Sequence, residues 1–193
     1  ITSLRSDSNK IRRICAEFTL VVGQRETAVF RWLSGEIFSI PLNDIHSEEV
    51  FDTMTKLLSD NNELSSASDD IDKVAVFLSK QILSVAEKSS LIDTDTNAST
   101  NKSTNAVLYG YLQLLEALLE HHDELVLRTE LGPKIPQVFT QSYLFSISEN
   151  TNSEIGLGLG VGKVDAVPVC NNPYMRKKAF DVLVAYSKAD SIR

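Results

Sequence analysis

Val107-Leu108-Tyr109-Gly110-Tyr111-Leu112-Gln113-Leu114-Leu115-Glu116-Ala117-Leu118-Leu119 is the stretch that decides the fold. Val107, Leu108, Tyr111, Leu112, Leu114, Leu115, Leu118 and Leu119 cover well over half the circumference of a helix. A helix that is apolar on so many sides must be sandwiched between neighbours. The segment therefore predicts a central helix, starting at Thr104 or Asn105, with other helices packed around it.

Working outward, the same period recurs on both sides. Ile71, Val74, Ala75, Leu78, Ile82 and Val85 mark one face of a long helix opened by Asp69-Asp70. Ser47 with Glu48-Glu49 reads as a helix start, because acids in a first turn meet the positive end of the helix dipole. Val50, Phe51, Met54, Leu57 and Leu58 are its stripe, and Asn61-Asn62 its end. Glu26 to Leu33 is a shorter helix that Gly35 is expected to close. Ser8 or Asn9 opens a first helix with Ile11, Ile14, Cys15, Phe18, Val21 and Val22 expected on its inner side. Beyond the centre, Asp123 to Leu127 is a short continuation that Gly132-Pro133 breaks. Ile135 to Ile147 is a further helix candidate whose aromatics leave a strand open. Pro173 suits the first turn of a last helix carrying Met175, Ala179, Phe180, Leu183, Val184 and Tyr186.

The fold class is all-α, with about seven helices joined in order. It reads as an armadillo/HEAT-like α-solenoid segment or an irregular helical bundle. No clear period of repeat residues is present, so any repeats are degenerate. Residues 1–193 are expected to form one helical domain or solenoid fragment. Two polar stretches, about 89–105 and 148–172, read as flexible loops, since they hold too little apolar surface to offset the entropy of ordering. The chain opens on Ile1 and closes on Ser191-Ile192-Arg193, and is read as a piece of something longer.

Composition narrows the function classes. The net charge is −7 and the isoelectric point is near 5.0, against nucleic acid or an anionic membrane as partner. No window holds the roughly 18 apolar residues of a membrane span. Cys15 and Cys170 lie far apart, a disulfide framework needs more cysteines at closer spacing, and both read as free thiols in a reducing compartment, cytoplasmic or nuclear. The two sequons, at Asn97 and Asn101, sit in an Asn/Ser/Thr-rich stretch and read as accidents of composition.

Four constellations invite chemistry. Gly156-Leu157-Gly158-Leu159-Gly160-Val161-Gly162-Lys163 approaches a phosphate loop. However, Leu157 stands where the first glycine belongs, and Val164 where the magnesium-holding hydroxyl belongs. Glu120-His121-His122-Asp123-Glu124 resembles a metal cluster, yet adjacent histidines point about 100° apart on a helix, so no metal site is assigned. Cys170 could serve as a nucleophile only with a histidine to activate it, and no spacing links it to His121 or His122. No catalytic residue and no cofactor is assigned. Arg12-Arg13 and Arg176-Lys177-Lys178 are the basic runs. Arg176, Lys177 and Lys178 are the candidate partner-binding residues, offering cations to an acidic protein surface.

Val167-Pro168-Val169-Cys170-Asn171-Asn172-Pro173-Tyr174-Met175-Arg176-Lys177-Lys178-Ala179-Phe180-Asp181-Val182-Leu183-Val184-Ala185-Tyr186 resembles the helical stretch before the catalytic domain of the very large ubiquitin-specific proteases, the fat-facets class. There a Pro/Cys-containing loop leads into an Arg-x-x-Ala-aromatic-x-x-Leu helix, here Arg176, Ala179, Phe180 and Leu183. The resemblance runs over about residues 135–190, with the Ile135 to Phe145 segment and its polar loop similar in order. The family's Gly-Asn-Thr-Cys-Tyr nucleophile box and its distal histidine box are absent from this sequence. The resemblance thus implies a non-catalytic scaffold of a thiol-type deubiquitinase, with the hydrolytic domain beyond Arg193. It implies protein partners, ubiquitinated substrates among them, and does not make Cys170 the nucleophile. The other reading is a stand-alone helical adaptor or regulatory domain unrelated to ubiquitin.

Overall fold

Every regular element among the described residues is helical. The computed structural model describes residues 2–42, 44–60, 68–89, 101–141 and 172–191. Eight α-helices follow in order: α1 (Asn9–Gly23), α2 (Thr27–Phe38), α3 (Glu48–Asp60), α4 (Ser68–Ser89), α5 (Asn101–His121), α6 (Asp123–Leu127), α7 (Ile135–Gln141) and α8 (Pro173–Ser191). A 3-10 turn, Thr2–Arg5, precedes α1, and another, Gly132–Lys134, leads into α7. The protein is all-α, as the periodicity predicts.

The helices lie in two rows. In one, α1 packs on α3, α3 on α5 and α5 on α8. In the other, α2 packs on α4 and α4 on α6, while α7 leans on α8. The rows meet where α2 touches α3 and where α4 and α6 touch α5. Helix α5 is the hub, as its apolar circumference requires: Val107, Leu108, Leu112, Leu114 and Leu118 are completely buried. Each fully buried aliphatic side chain of this size contributes about 1.5–3 kcal/mol. A chain of rings crosses the two rows. Phe38 of α2 meets Phe77 of α4 at 4.8 Å between centroids. Phe77 meets Tyr111 of α5 edge-on at 5.9 Å, and Tyr111 meets Phe51 of α3 edge-on at 5.6 Å. Edge-to-face packing sets the positive rim of one ring against the negative face of the next. Burial pushes the Tyr111 phenol up to about 12.

Polar ties hold the outer helices to this core. Asp70 at the start of α4 accepts from Arg31 of α2 at 3.1 Å and from Lys73 at 2.9 Å. The buried Ser79 hydroxyl of α4 accepts from the Leu131 amide at 3.0 Å and so fixes the turn before α7. Asn172 caps α8, its side-chain oxygen accepting from the Tyr174 amide at 3.0 Å, with Pro173 as first helical residue.

The structure departs from the sequence expectations at four places. His122 leaves helical geometry (φ −144°, ψ 41°), so α6 is a separate helix rather than a continuation of α5. Helix α2 runs through Gly35 to Phe38. Gly35 points to open surface, and the buried Ile37 extends the apolar face beyond it, so nothing there requires a stop. Helix α5 begins at Asn101, inside the stretch read as loop, because the strong apolar segment carries its backbone period one turn upstream. Helix α7 ends at Gln141, and the rest of the Ile135 to Ile147 candidate lies outside the described residues.

The fourth departure concerns α1. Ile11, Ile14, Phe18 and Val21, expected inside, are 46%, 56%, 67% and 61% exposed. The buried side carries Thr19 and Gly23, with Ala16 and Leu20 partly covered. Small residues let α1 approach α3 closely: a Cβ on Gly23 would meet the Leu57 side chain at 2.9 Å. The helix thus has two apolar faces, and the one with the smaller residues packs.

Candidate interaction surface

Arg12 fixes which face of α1 turns outward. Its Nε donates to Glu49 Oε2 of α3 at 2.9 Å, and one terminal nitrogen donates to the Ser6 carbonyl at 2.7 Å. The same nitrogen lies 3.2 Å from His46 Nδ1. His46 Nε2 in turn lies 3.3 Å from an Asp7 carboxylate oxygen. Arg5 pairs with Asp44, whose other oxygen accepts from the His46 amide at 2.6 Å. Leu4, in the turn before α1, is buried. The 3-10 turn, the start of α1 and the segment entering α3 are therefore cross-linked by charge-assisted hydrogen bonds, each stronger than a neutral one.

This clamp leaves Ile11, Ile14, Phe18 and Val21 in a line along the outer side of α1. Their spacing of three, four and three residues is that of a helix-packing seam. The ridge sits at the open end of the first row, opposite the side that meets α3. Sequence reading found the four residues and misjudged their direction. The signal it passed over is the second stripe, Arg12, Ala16, Thr19 and Gly23, small and polar but equally helical in period.

The three candidate residues at the other end of the row do not share one role. Lys178 lies inward: its ammonium donates to Glu116 of α5 at 2.6 Å and stands 5.6 Å from the Tyr109 ring centroid. Burial disfavours its charge, but Glu116 more than offsets this and holds its pKa above 10.5. Lys177 is exposed and pairs with Asp181 at 3.2 Å. Arg176 is half-buried. Successive residues fan around a helix by about 100°, which separates the three. Phe180 and Val184 are 53% and 38% exposed on α8, while Ala179 of the same motif is buried.

Between α3, α5 and α8 a cleft of about 370 Å³ opens, lined by Ile45, Phe51, Asp52, Tyr109, Gln113 and Tyr174 among others. Of its two carboxylates, Glu48 and Asp52, the latter accepts from Gln113 at 2.8 Å. Among the described residues, no histidine or cysteine lines it. His122 is half-buried, its Nε2 has no hydrogen-bond partner among the described residues, and burial together with the neighbouring His121 lowers its pKa. Among the described residues no three His, Cys, Asp or Glu side chains group as metal ligands. Cys15 is half-buried against the core, and Cys170 and the 156–163 glycine stretch lie outside the described residues. Among the described residues, no helix is long and apolar enough to cross a membrane.

What the arrangement offers chemically is recognition by shape, apolar area and charge. Comparison with protein-family models, curated proteins and solved structures returns no match to this chain.

Proposed function

We propose that this chain is a non-catalytic helical scaffold that positions protein partners, and that it belongs to a large ubiquitin-specific protease. The observation that carries the scaffold reading is the ridge of Ile11, Ile14, Phe18 and Val21, four large apolar side chains held outward by a clamped helix. Aligned apolar exposure of this kind marks an interaction site. The ubiquitin-protease part rests on the resemblance around Arg176, Ala179, Phe180 and Leu183, and makes ubiquitinated proteins the candidate partners.

The test is the parent transcript, read in frame past Arg193. A Gly-x-Thr-Cys box followed by a distal histidine box supports a deubiquitinase scaffold. A stop codon within a few residues overturns that assignment and leaves an adaptor domain unrelated to ubiquitin as the reading.

A further inference from the structure

Three exposed cations border the α1 ridge. The protein carries a net −7. Arg5, Arg12, Arg31, Lys73 and Lys178 are all drawn into ion pairs. Lys10, Arg13 and Arg25 are exposed and form no ion pair among the described residues, as is also true of Lys56, Lys80 and Lys188 elsewhere, but these three stand together around one apolar ridge. All three border the ridge. Helical spacing puts Lys10 and Arg13 along one flank, and Arg25 lies one turn beyond Val21. A single acid, Glu17, interrupts that flank.

A second copy fits this surface poorly. A second ridge would bring the same three cations, with Glu17 the one acid on its Lys10–Arg13 flank to meet them. Each copy would bring the same excess of negative charge.

The seam spacing suits a helix, and the open end of the row continues the packing that α1 makes with α3. We propose that the α1 ridge docks an amphipathic α-helix of a partner protein. Apolar residues of that helix, at alternating spacings of three and four, interlock with Ile11, Ile14, Phe18 and Val21. An acidic edge on the same helix meets Lys10, Arg13 and Arg25. This rests on the scaffold reading and names the class of its partner. It does not depend on the ubiquitin assignment.

The test uses the full chain and two labelled helical peptides, identical in their leucine seam, one with glutamates and one with lysines beside it. Fluorescence anisotropy at low and high salt reads binding. The glutamate peptide is expected to bind at least about tenfold tighter than the lysine peptide, with the difference shrinking at high salt. Ile14→Ser with Phe18→Ser should weaken it about tenfold or more while leaving the melting curve unchanged, since both side chains are exposed. The triple change Lys10→Glu, Arg13→Glu and Arg25→Glu should reverse the preference between the peptides. Equal binding of both peptides, binding of neither, or a ridge-dependent dimer of the chain in sedimentation would each overturn the proposal. A failure here leaves the transcript test standing, and a stop codon there leaves this docking site standing.

Discussion

Gly110 of α5 faces the ring of Phe51 of α3 with no space between them for a methyl group. The two helices meet here at the centre of the first row, and a Cβ on Gly110 would collide with Phe51 Cδ2 and Cγ. Both residues are buried. Gly110→Ala would gain up to about 1 kcal/mol of helix propensity in an isolated helix. In the protein the collision outweighs it, and overpacking of this kind costs about 1–3 kcal/mol. Chemical denaturation should show a net loss, and Phe51→Leu added to Gly110→Ala should recover part of it. Additive losses from the two changes would contradict the contact.

Leu115 stands on the hub helix and is 1% exposed. Leu115→Asp places a carboxylate in the buried apolar cluster, at a cost of several kcal/mol against a total stability of roughly 5–15 kcal/mol. The variant should lose its cooperative thermal transition. Leu115→Met, similar in volume, should cost less than about 1.5 kcal/mol. A cooperative melt for the aspartate variant would refute the layout.

The Lys178–Glu116 pair joins α8 to α5 with both side chains mostly covered. Glu116→Gln leaves a covered ammonium facing a neutral amide and should destabilise by about 1–3 kcal/mol, as loss of a charged hydrogen-bond partner does. Because the folded-state pKa of Lys178 is raised, its contribution is complete below about pH 10.5 and disappears as pH rises through the raised value. Wild type should therefore show a steeper alkaline loss of stability than Glu116→Gln in the same titration.

His122 behaves in the opposite sense. Burial and His121 depress its folded-state pKa below 6.5, so the unfolded chain binds the proton more readily. Stability is present above pH 6.5 and declines as pH falls below it. Melting temperatures taken between about pH 7.5 and 5.5, above the carboxylate range, should fall with acidification. His122→Asn keeps a residue able to cap α6 and removes the titration, so its melting temperature should hold nearly level over that interval. An equally steep decline in the variant would assign the effect elsewhere.

How much of this was legible in the sequence depended on the kind of signal. Val107 to Leu119 announced a buried hub because apolar residues on most sides of a helix admit one interpretation. The face of α1 did not, because periodicity reports that a stripe exists, not which of two stripes packs. Arg12 and Arg13 illustrate the limit: neighbours in sequence, they diverge by one helical step. Only the three-dimensional position of Glu49 decides that Arg12 is taken inward and Arg13 left outside. The run Arg176-Lys177-Lys178 divides for the same reason, with Glu116 claiming Lys178 from a helix about sixty residues upstream.

The hub position of α5 has a consequence for the chain while it is being made. Phe51 and Gly110 are about sixty residues apart, so at roughly 5–20 residues per second the ribosome takes about 3–12 s to deliver the second after the first. During that interval α3 is completed and α4 is made, and until α5 follows, Phe51 and Phe77 lack the helix that packs on them, so their apolar sides face solvent or whatever holds a nascent chain. Vectorial synthesis thus builds the flanks of this protein before its centre, and the first half must wait, uncovered, for a hub that arrives from the second.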